Sequence, residues 1–324
     1  MYDILTIGEI LAEILTENTN QEFSLPGVLL GPFPSGAPAI AIDQAALMGA
    51  KTAIIAKIGK DDFGSLNRER LRRDGVDVSH IIETGGNATG TAFVTYYSDG
   101  SRKFIFHFAH AACGELGPAD VKEELIKNTR FIHIMGCSIT GSPSMGKAIM
   151  KAVRLAKKHK VKISFDPNIR PELLKGNIMN YYKEILDDAD IILTGEHELS
   201  FLFGETETAV KHLLDQKDRI IVIKNGAEKT FIFTRRGTSS IAPFPAIPVD
   251  ATGAGDSFDG TFLALLCQGK DPGTAALYGN AAGARAVSKR GPMEGNTGRT
   301  EIEEFVKENS QITITEEKML RMQS

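Results

Sequence analysis

Short apolar runs rich in Ile, Val and Phe recur along this chain, at residues 4–8, 52–57, 131–135, 162–166, 191–194 and 220–224. They limit the fold more than any other feature, because runs of this length and composition read as buried strands. Helical patterns lie between most of them. Met145, Ile149, Ala152, Val153 and Ala156 fall at helical spacing, and Lys147, Lys151, Arg154 and Lys158 share the other face as a solvated basic stripe. Strands alternating with helices imply an α/β fold in three layers, with a mainly parallel sheet between helices.

Two segments break the rhythm. Residues 91–97 and 102–108 look like strands joined around Asp99-Gly100, a favourable hairpin turn. Residues 21–35 are rich in Pro and Gly and irregular. Together these predict a small β-lid, formed by about residues 10–35 and 90–110, over the strand ends where open α/β sheets place ligands. No repeat or linker divides the chain, so 1–324 is expected to be one domain, with residues 300–324 a terminal helix and a polar tail.

Charge and cysteine usage exclude several functions. A net charge of -4 lacks the basic excess that nucleic acid requires. Cys113, Cys137 and Cys267 form no Cys-x-x-Cys pair, so neither a disulfide framework nor a zinc site is signalled. The start, Met1-Tyr2-Asp3, has no signal-peptide pattern, and no run approaches ~20 apolar residues. A cytoplasmic protein without a membrane partner is expected.

The most informative segment runs from Val249 to Phe258 and opens an apolar helical run. Gly253 and Gly255 let the backbone adopt conformations closed to other residues and let a ligand approach the amides. Those amides, at the positive end of a helix, form an anion site suited to a phosphate in transfer. Asp256 beside an anion is otherwise badly placed. The conflict is explained if it faces an incoming hydroxyl and accepts its proton. Neither a Walker A motif nor a dinucleotide fingerprint is present.

The string Asp250-Ala251-Thr252-Gly253-Ala254-Gly255-Asp256-Ser257-Phe258 resembles the C-terminal signature of the ribokinase-like, or PfkB, carbohydrate kinases. The resemblance extends over nearly the whole chain. Gly36 to Ala39, Lys57 to Gly64 and Gly75-Val76 look like the N-terminal family pattern, Gly90-Thr91-Ala92 and the hairpin like its lid, and Phe165 to Pro171 like a mid-chain element. It implies the ribokinase-like fold and an ATP-dependent sugar kinase using Mg2+, in families where dimers through the lid are common.

The resemblance implies roles residue by residue. Asp256 corresponds to the catalytic base, and the amides of Gly253, Ala254 and Gly255 to the anion hole. Asp250 and Thr252 match a loop that binds a monovalent cation such as K+ in many members, or they brace the loop. Glu198 matches a Glu linked indirectly to magnesium, although the accompanying Asn position is Gly195, for which Thr194 or Glu196 would have to compensate; the other reading is an exposed helix carboxylate. Lys224 and Gly226 resemble a nucleotide-side Lys-x-Gly turn, with Lys229 where the next glycine stands, and Gly226 reads equally as a hairpin glycine. Asn280 matches an adenine-side Asn or is a capping residue. Asn168 and Arg170 resemble residues near phosphate or sugar, with a structural salt bridge the other reading of Arg170.

On the sugar side, Glu13 stands where the family usually has an Asp that holds hydroxyls, or else faces solvent. Gly36 and Ala37 lie in the sugar-side segment, where Ser35 and Ile40 depart from the usual Gly and Asn. Residues 104–112 contain no Arg, whereas ketodeoxygluconate kinases usually carry one in the lid for the substrate carboxylate. The string Gly31 to Ile40 also looks similar to sugar or tagatose kinases, and together these imply a neutral ketohexose such as tagatose or fructose. 2-Keto-3-deoxygluconate, ribose and nucleosides are the rivals within the class. His107 and His110, three apart, would point to opposite faces of a strand and share no metal. A ligand-binding regulatory protein that lost catalysis is the rival of a different class, motivated by Gly195 and Lys229 and opposed by the presence of Asp256.

Overall fold

The structure, a computed structural model, describes residues 1–170, 174 and 178–317. Its strands, numbered in chain order, are β1 (Tyr2–Ile7), β2 (Leu11–Thr16), β3 (Leu29–Ser35), β4 (Thr52–Gly59), β5 (Ile81–Thr84), β6 (Gly90–Tyr96) and β7 (Arg102–His107). Then follow β8 (Thr129–Met135), β9 (Lys162–Asp166), β10 (Ile191–Gly195), β11 (Ile220–Lys224), β12 (Thr230–Thr234), β13 (Gly237–Ile241) and β14 (Ile314–Glu317). Ten of them form one sheet in the order β14-β13-β12-β11-β10-β9-β8-β1-β4-β5, and β3-β2-β6-β7 form a second.

The run from β11 to β5 is parallel throughout. Every apolar run singled out in the sequence lies in it. These strands are continuous in hydrophobicity because helices cover both faces and neither face meets water. One layer includes α3 (Pro143–His159), whose Met145, Ile149, Ala152, Val153 and Ala156 are buried as their spacing predicts. Its start is set by Ser142, whose Oγ accepts the Met145 amide at 3.0 Å. The basic face is solvated and paired, with Arg154 on Glu184 and Lys158 on Glu123.

On the other side, α1 (Ala37–Leu47) and α5 (Ala254–Cys267) pack together with α6 (Pro272–Ala286). Contact between α1 and α5 is close enough that a Cβ on Gly260 would sit 2.1 Å from the Ala41 carbonyl oxygen. Between them in sequence lie α2 (Asp62–Arg73) and, after β10, α4 (Glu196–Phe203), which completes the helices used below.

Three expectations are corrected. Residues 21–35 are not irregular throughout, because Leu29–Ser35 is a strand that tolerates Pro32 and Pro34 at the outer edge of the small sheet. After the terminal helix at Arg299–Glu308 the chain is not simply a polar tail: Ile314–Glu317 pairs antiparallel with β13. Its polarity reflects an edge position with one paired side, and residues 318–324 of that expectation lie outside the described residues. His107 ends its strand, so His110 sits beyond it rather than on it, and both are exposed. The 91–97 and 102–108 hairpin forms as β6 and β7, in antiparallel register from Thr91 opposite His107 to Tyr96 opposite Arg102.

Candidate functional site

The carboxyl ends of the parallel strands deliver the polar residues of the site, as open α/β sheets generally do. Glu9 follows β1, Cys137 follows β8, Asn168 and Arg170 follow β9, and Lys224 ends β11. Across from them the small sheet contributes Glu13 from β2 and Arg102 from β7. A cavity of about 170 Å3 lies between, bounded by Glu9, Glu13, Arg102, Arg170, Gly255 and Asp256. A larger open groove of about 670 Å3, at β13, β14 and the start of α6, contains none of the sequence-predicted residues.

Gly253 precedes α5 with φ 82°, the left-handed region that favours glycine, and a Cβ there would lie 2.2 Å from the Pro292 carbonyl oxygen. At Gly255 an added Cβ would meet only Lys224 Nζ, at 3.6 Å, so the backbone stays open on that side. The first amides of a helix have no partner within it, which makes Gly253, Ala254 and Gly255 a cradle for an anion. Asp256, in the first turn, is buried. Burial, then the nearby Asp166 carboxylate, push it up to about 7 against the opposing pull of Lys224 and Arg170.

Asn168 holds Asp256 directly, donating from Nδ2 to Asp256 Oδ1 at 3.2 Å. Its backbone is left-handed at φ 41°, a conformation Asn tolerates better than most residues. Arg170 is half-buried at the cavity wall, where its guanidinium donates to the Ile169 carbonyl at 3.2 Å. The described residues show no salt bridge for it. Pro171, the end of the mid-chain element, lies outside the described residues.

Glu13 is buried, which overturns its solvent-facing reading. Ser35 Oγ donates to its Oε2 at 2.7 Å, and Oε1 is buried without a partner among the described residues. Burial pushes this carboxyl up to about 8 despite the Ser35 bond. Gly36, at φ 112°, admits the close turn into α1, since a Cβ would lie 2.5 Å from the Glu9 carbonyl oxygen. Ala37 follows it on the cavity wall.

Glu198 is half-buried rather than exposed. Its Oε1 accepts the Ile169 amide at 2.7 Å, and its Oε2 accepts the Gly195 amide at 2.8 Å and Thr194 Oγ1 at 3.2 Å. With both oxygens engaged, it suits an ion held through water, as Mg2+ commonly is. Glu196 is exposed on α4. Asp250 accepts the Thr252 amide at 2.9 Å and the Gly291 amide at 3.0 Å, which braces the loop. Among the described residues no three His, Cys, Asp or Glu side chains gather into a metal cluster.

Asn280 accepts from Thr230 Oγ1 at 2.7 Å, and its Nδ2 is buried without a partner among the described residues, as a donor awaiting a ligand would be. Gly226 lies in the turn between the antiparallel β11 and β12, so it is a hairpin glycine. Lys224 is not presented to solvent: its Nζ lies 2.9 Å from Asp166 and 2.8 Å from Asp259.

Sequence reasoning passed over Glu9, Arg102 and Asp259. Glu9 is buried, with Ser138 Oγ donating to it at 2.5 Å, and its place just after a parallel strand was the available signal. Arg102 Nη1 donates to Thr252 Oγ1 at 3.1 Å and its guanidinium lies 5.7 Å over the Phe104 ring. It stands two residues before the Arg-free segment 104–112, so the small sheet does bring a guanidinium to the cavity wall.

Comparison with known proteins follows the same lines. Residues 7–298 match the model of the "pfkB family carbohydrate kinase". A Bacillus subtilis "5-dehydro-2-deoxygluconokinase" is 29% identical over 95% of this chain and 97% of its own. An Arabidopsis thaliana "Probable fructokinase-3" is 32% identical over 90% of this chain and 87% of its own. Among solved structures, "a putative Ribokinase II in complex with ATP and Mg+2" from E. coli superposes with a TM-score of 0.90 at 40% identity, covering 95% of this chain and 100% of that one.

Proposed function

The chain belongs to the pfkB family of carbohydrate kinases, and from that premise we propose that it transfers the γ-phosphoryl group of ATP to a hydroxyl of a ketohexose such as fructose or tagatose. The observation that carries the reading is the convergence of Asp256, Gly253 and Gly255 at the helix start, and Glu13 on one cavity. The buried carboxyl group of Glu13 can accept and, while it holds its proton, donate hydrogen bonds to sugar hydroxyls, and the helix start receives phosphate.

In the transfer, Asp256 takes the proton of the sugar hydroxyl as that oxygen bonds to the γ-phosphorus. The bond between that phosphorus and the β–γ bridging oxygen breaks, and ADP departs with the electron pair. The anion-hole amides stabilise the charge spread over the transferring group, and Asn168 keeps the base in line. Asn280 would face the adenine side through its spare donor. Mg2+, when bound, neutralises phosphate charge, and Glu198 would meet it through water.

Support for ATP and Mg2+ comes from the E. coli complex at 40% identity. Support for a ketohexose comes from the fructokinase relative. Arg102 favours a second reading, a keto sugar acid, because a guanidinium at the cavity wall could pair with a carboxylate, and the B. subtilis relative is named for such a substrate. We take residues 1–324 as one catalytic unit, with the small sheet as its lid and the cytoplasm as its compartment. Among the described residues no helix is long and apolar enough to cross a membrane.

ADP release with MgATP across fructose, tagatose, ribose and 5-dehydro-2-deoxygluconate tests the reading. A ketohexose should give the highest kcat/KM. Highest kcat/KM with 5-dehydro-2-deoxygluconate selects the second reading, and no release with any sugar contradicts both.

A further inference from the structure

Beneath Asp256 lies a charged cluster that the phosphoryl transfer described above does not use. Lys224, at the end of β11, is enclosed between Asp166 of β9 at 2.9 Å and Asp259 of α5 at 2.8 Å. Asp259 stands one turn after Asp256 on the same helix. From Lys224 a bonded path leads back to the base. Asp166 accepts the ammonium on Oδ2 and the Asn168 amide, at 2.8 Å, on Oδ1, and Asn168 in turn donates from Nδ2 to Asp256 at 3.2 Å.

We propose that Lys224 and Asp166 are positioning residues of the base, a buried ion pair of opposing charges that fixes both the aim of Asp256 and the pH at which it is ionised. The inference rests on the kinase reading and deepens it. It also gives Lys224 a place other than the nucleotide contact that its Lys-x-Gly turn suggested.

The geometry accounts for aim and charge separately. Asp166 braces the unusual backbone of Asn168 at φ 41°, and that backbone points the Asn168 amide at the base. For charge, the titratable groups that face Asp256 are Glu9, Glu13, Cys137, Asp166, Arg170 and Lys224. Asp166 raises its proton affinity and Lys224 lowers it, so the two act with opposite signs from one bonded pair. Burial opposes both charges, yet Lys224 holds Asp166 below the usual carboxylate range, and the two carboxylates hold Lys224 above the usual ammonium range. Both therefore stay charged at neutral pH. Removing Lys224 leaves Asp166 without its cation close to the base, whereas removing Asp166 leaves Lys224 paired with Asp259 alone.

Opposite signs make the test decisive. The pH profile of kcat/KM reports ionisation of the free enzyme's base as its acid limb. Lys224→Met should move that limb up by about one pH unit, so that activity lost near neutrality returns in alkali, and Asp166→Asn should move it down by a similar amount. Asn at position 166 can still accept the Asn168 amide, so folding and aim survive that change. A carboxyl 13C NMR titration of Asp256, assigned by its absence in Asp256→Asn, reads the same shifts without turnover. A wild type that phosphorylates none of the sugars overturns the kinase reading and leaves the NMR shifts to decide this one. If Lys224→Met does not fold, the downward shift in Asp166→Asn still supports the proposal. Limbs and NMR midpoints that stay in place, or that move the same way in both variants, overturn it.

Discussion

Arg102 Nη1 lies 3.1 Å from Thr252 Oγ1, so an outer strand of the small sheet touches the loop that leads into α5. The guanidinium thus lies at the cavity wall, where a substrate carboxylate would meet it. Under the sugar-acid reading, Arg102→Gln should cut kcat/KM for 5-dehydro-2-deoxygluconate by about 10- to 100-fold, in line with the roughly 1.5–3 kcal/mol of a hydrogen bond to a charged group. Fructose should change by no more than about threefold. Steady-state kinetics on both sugars checks this, and an equal fall for both would place Arg102 on the loop alone.

Glu13 gives a prediction in pH. Its carboxyl is raised from 4.5 to about 8 in the folded chain, chiefly by burial. Between those values the folded chain keeps a proton that the unfolded chain has lost, so this group's stabilising contribution is full at low pH, falls as pH rises and levels above about 8. Glu13→Gln removes that slope. Its Tm relative to wild type should climb between about pH 5 and about pH 8.5, and its sugar KM should rise while the ATP KM holds. Parallel Tm curves would mean that Glu13 is ionised throughout.

Asn280→Ala removes the buried Nδ2 that lacks a partner among the described residues. The ATP KM should rise by about tenfold, the worth of one good hydrogen bond, with the sugar KM unchanged. Isothermal titration with ATP checks it directly. Unchanged ATP affinity combined with a lower Tm would return Asn280 to bracing Thr230.

Gly260→Ala tests the packing that carries the site. The added methyl would stand 2.1 Å from the Ala41 carbonyl oxygen and 2.9 Å from the Ala45 amide, so α1 and α5 must separate. Overpacking of this kind costs about 1–3 kcal/mol or more. Calorimetry should show a Tm several degrees lower. An unchanged Tm would mean that the two helices yield freely.

The parts that the sequence made legible share a physical reason. The central strands are buried on both faces, so their hydrophobicity is continuous and visible, and Gly253 to Asp256 are contiguous, so one string carries the whole of the proposed anion hole and base. What stayed hidden depends on contacts between distant segments. Nothing near Lys224 in sequence announces Asp166 or Asp259, 58 and 35 residues away. Strand β2 carries Glu13 within an otherwise largely apolar run, and that pattern alone left open whether the side chain faces the cavity or solvent. Strand β14 is short, polar and paired on one side only, so its pattern resembles a tail.

The central claim is that Asp256 is the base, and Asp256→Asn tests it most directly. The amide nearly preserves size and can still accept from Asn168, but it cannot take the hydroxyl proton. Turnover should fall by roughly 10² to 10⁴. ATP affinity should hold, because backbone amides build the anion hole, and Tm should hold or rise with the loss of a buried carboxyl. Measuring kcat, ATP affinity and Tm on one preparation gives the answer: a collapse of kcat with the other two intact is the predicted result, and turnover near the wild-type rate would contradict the account.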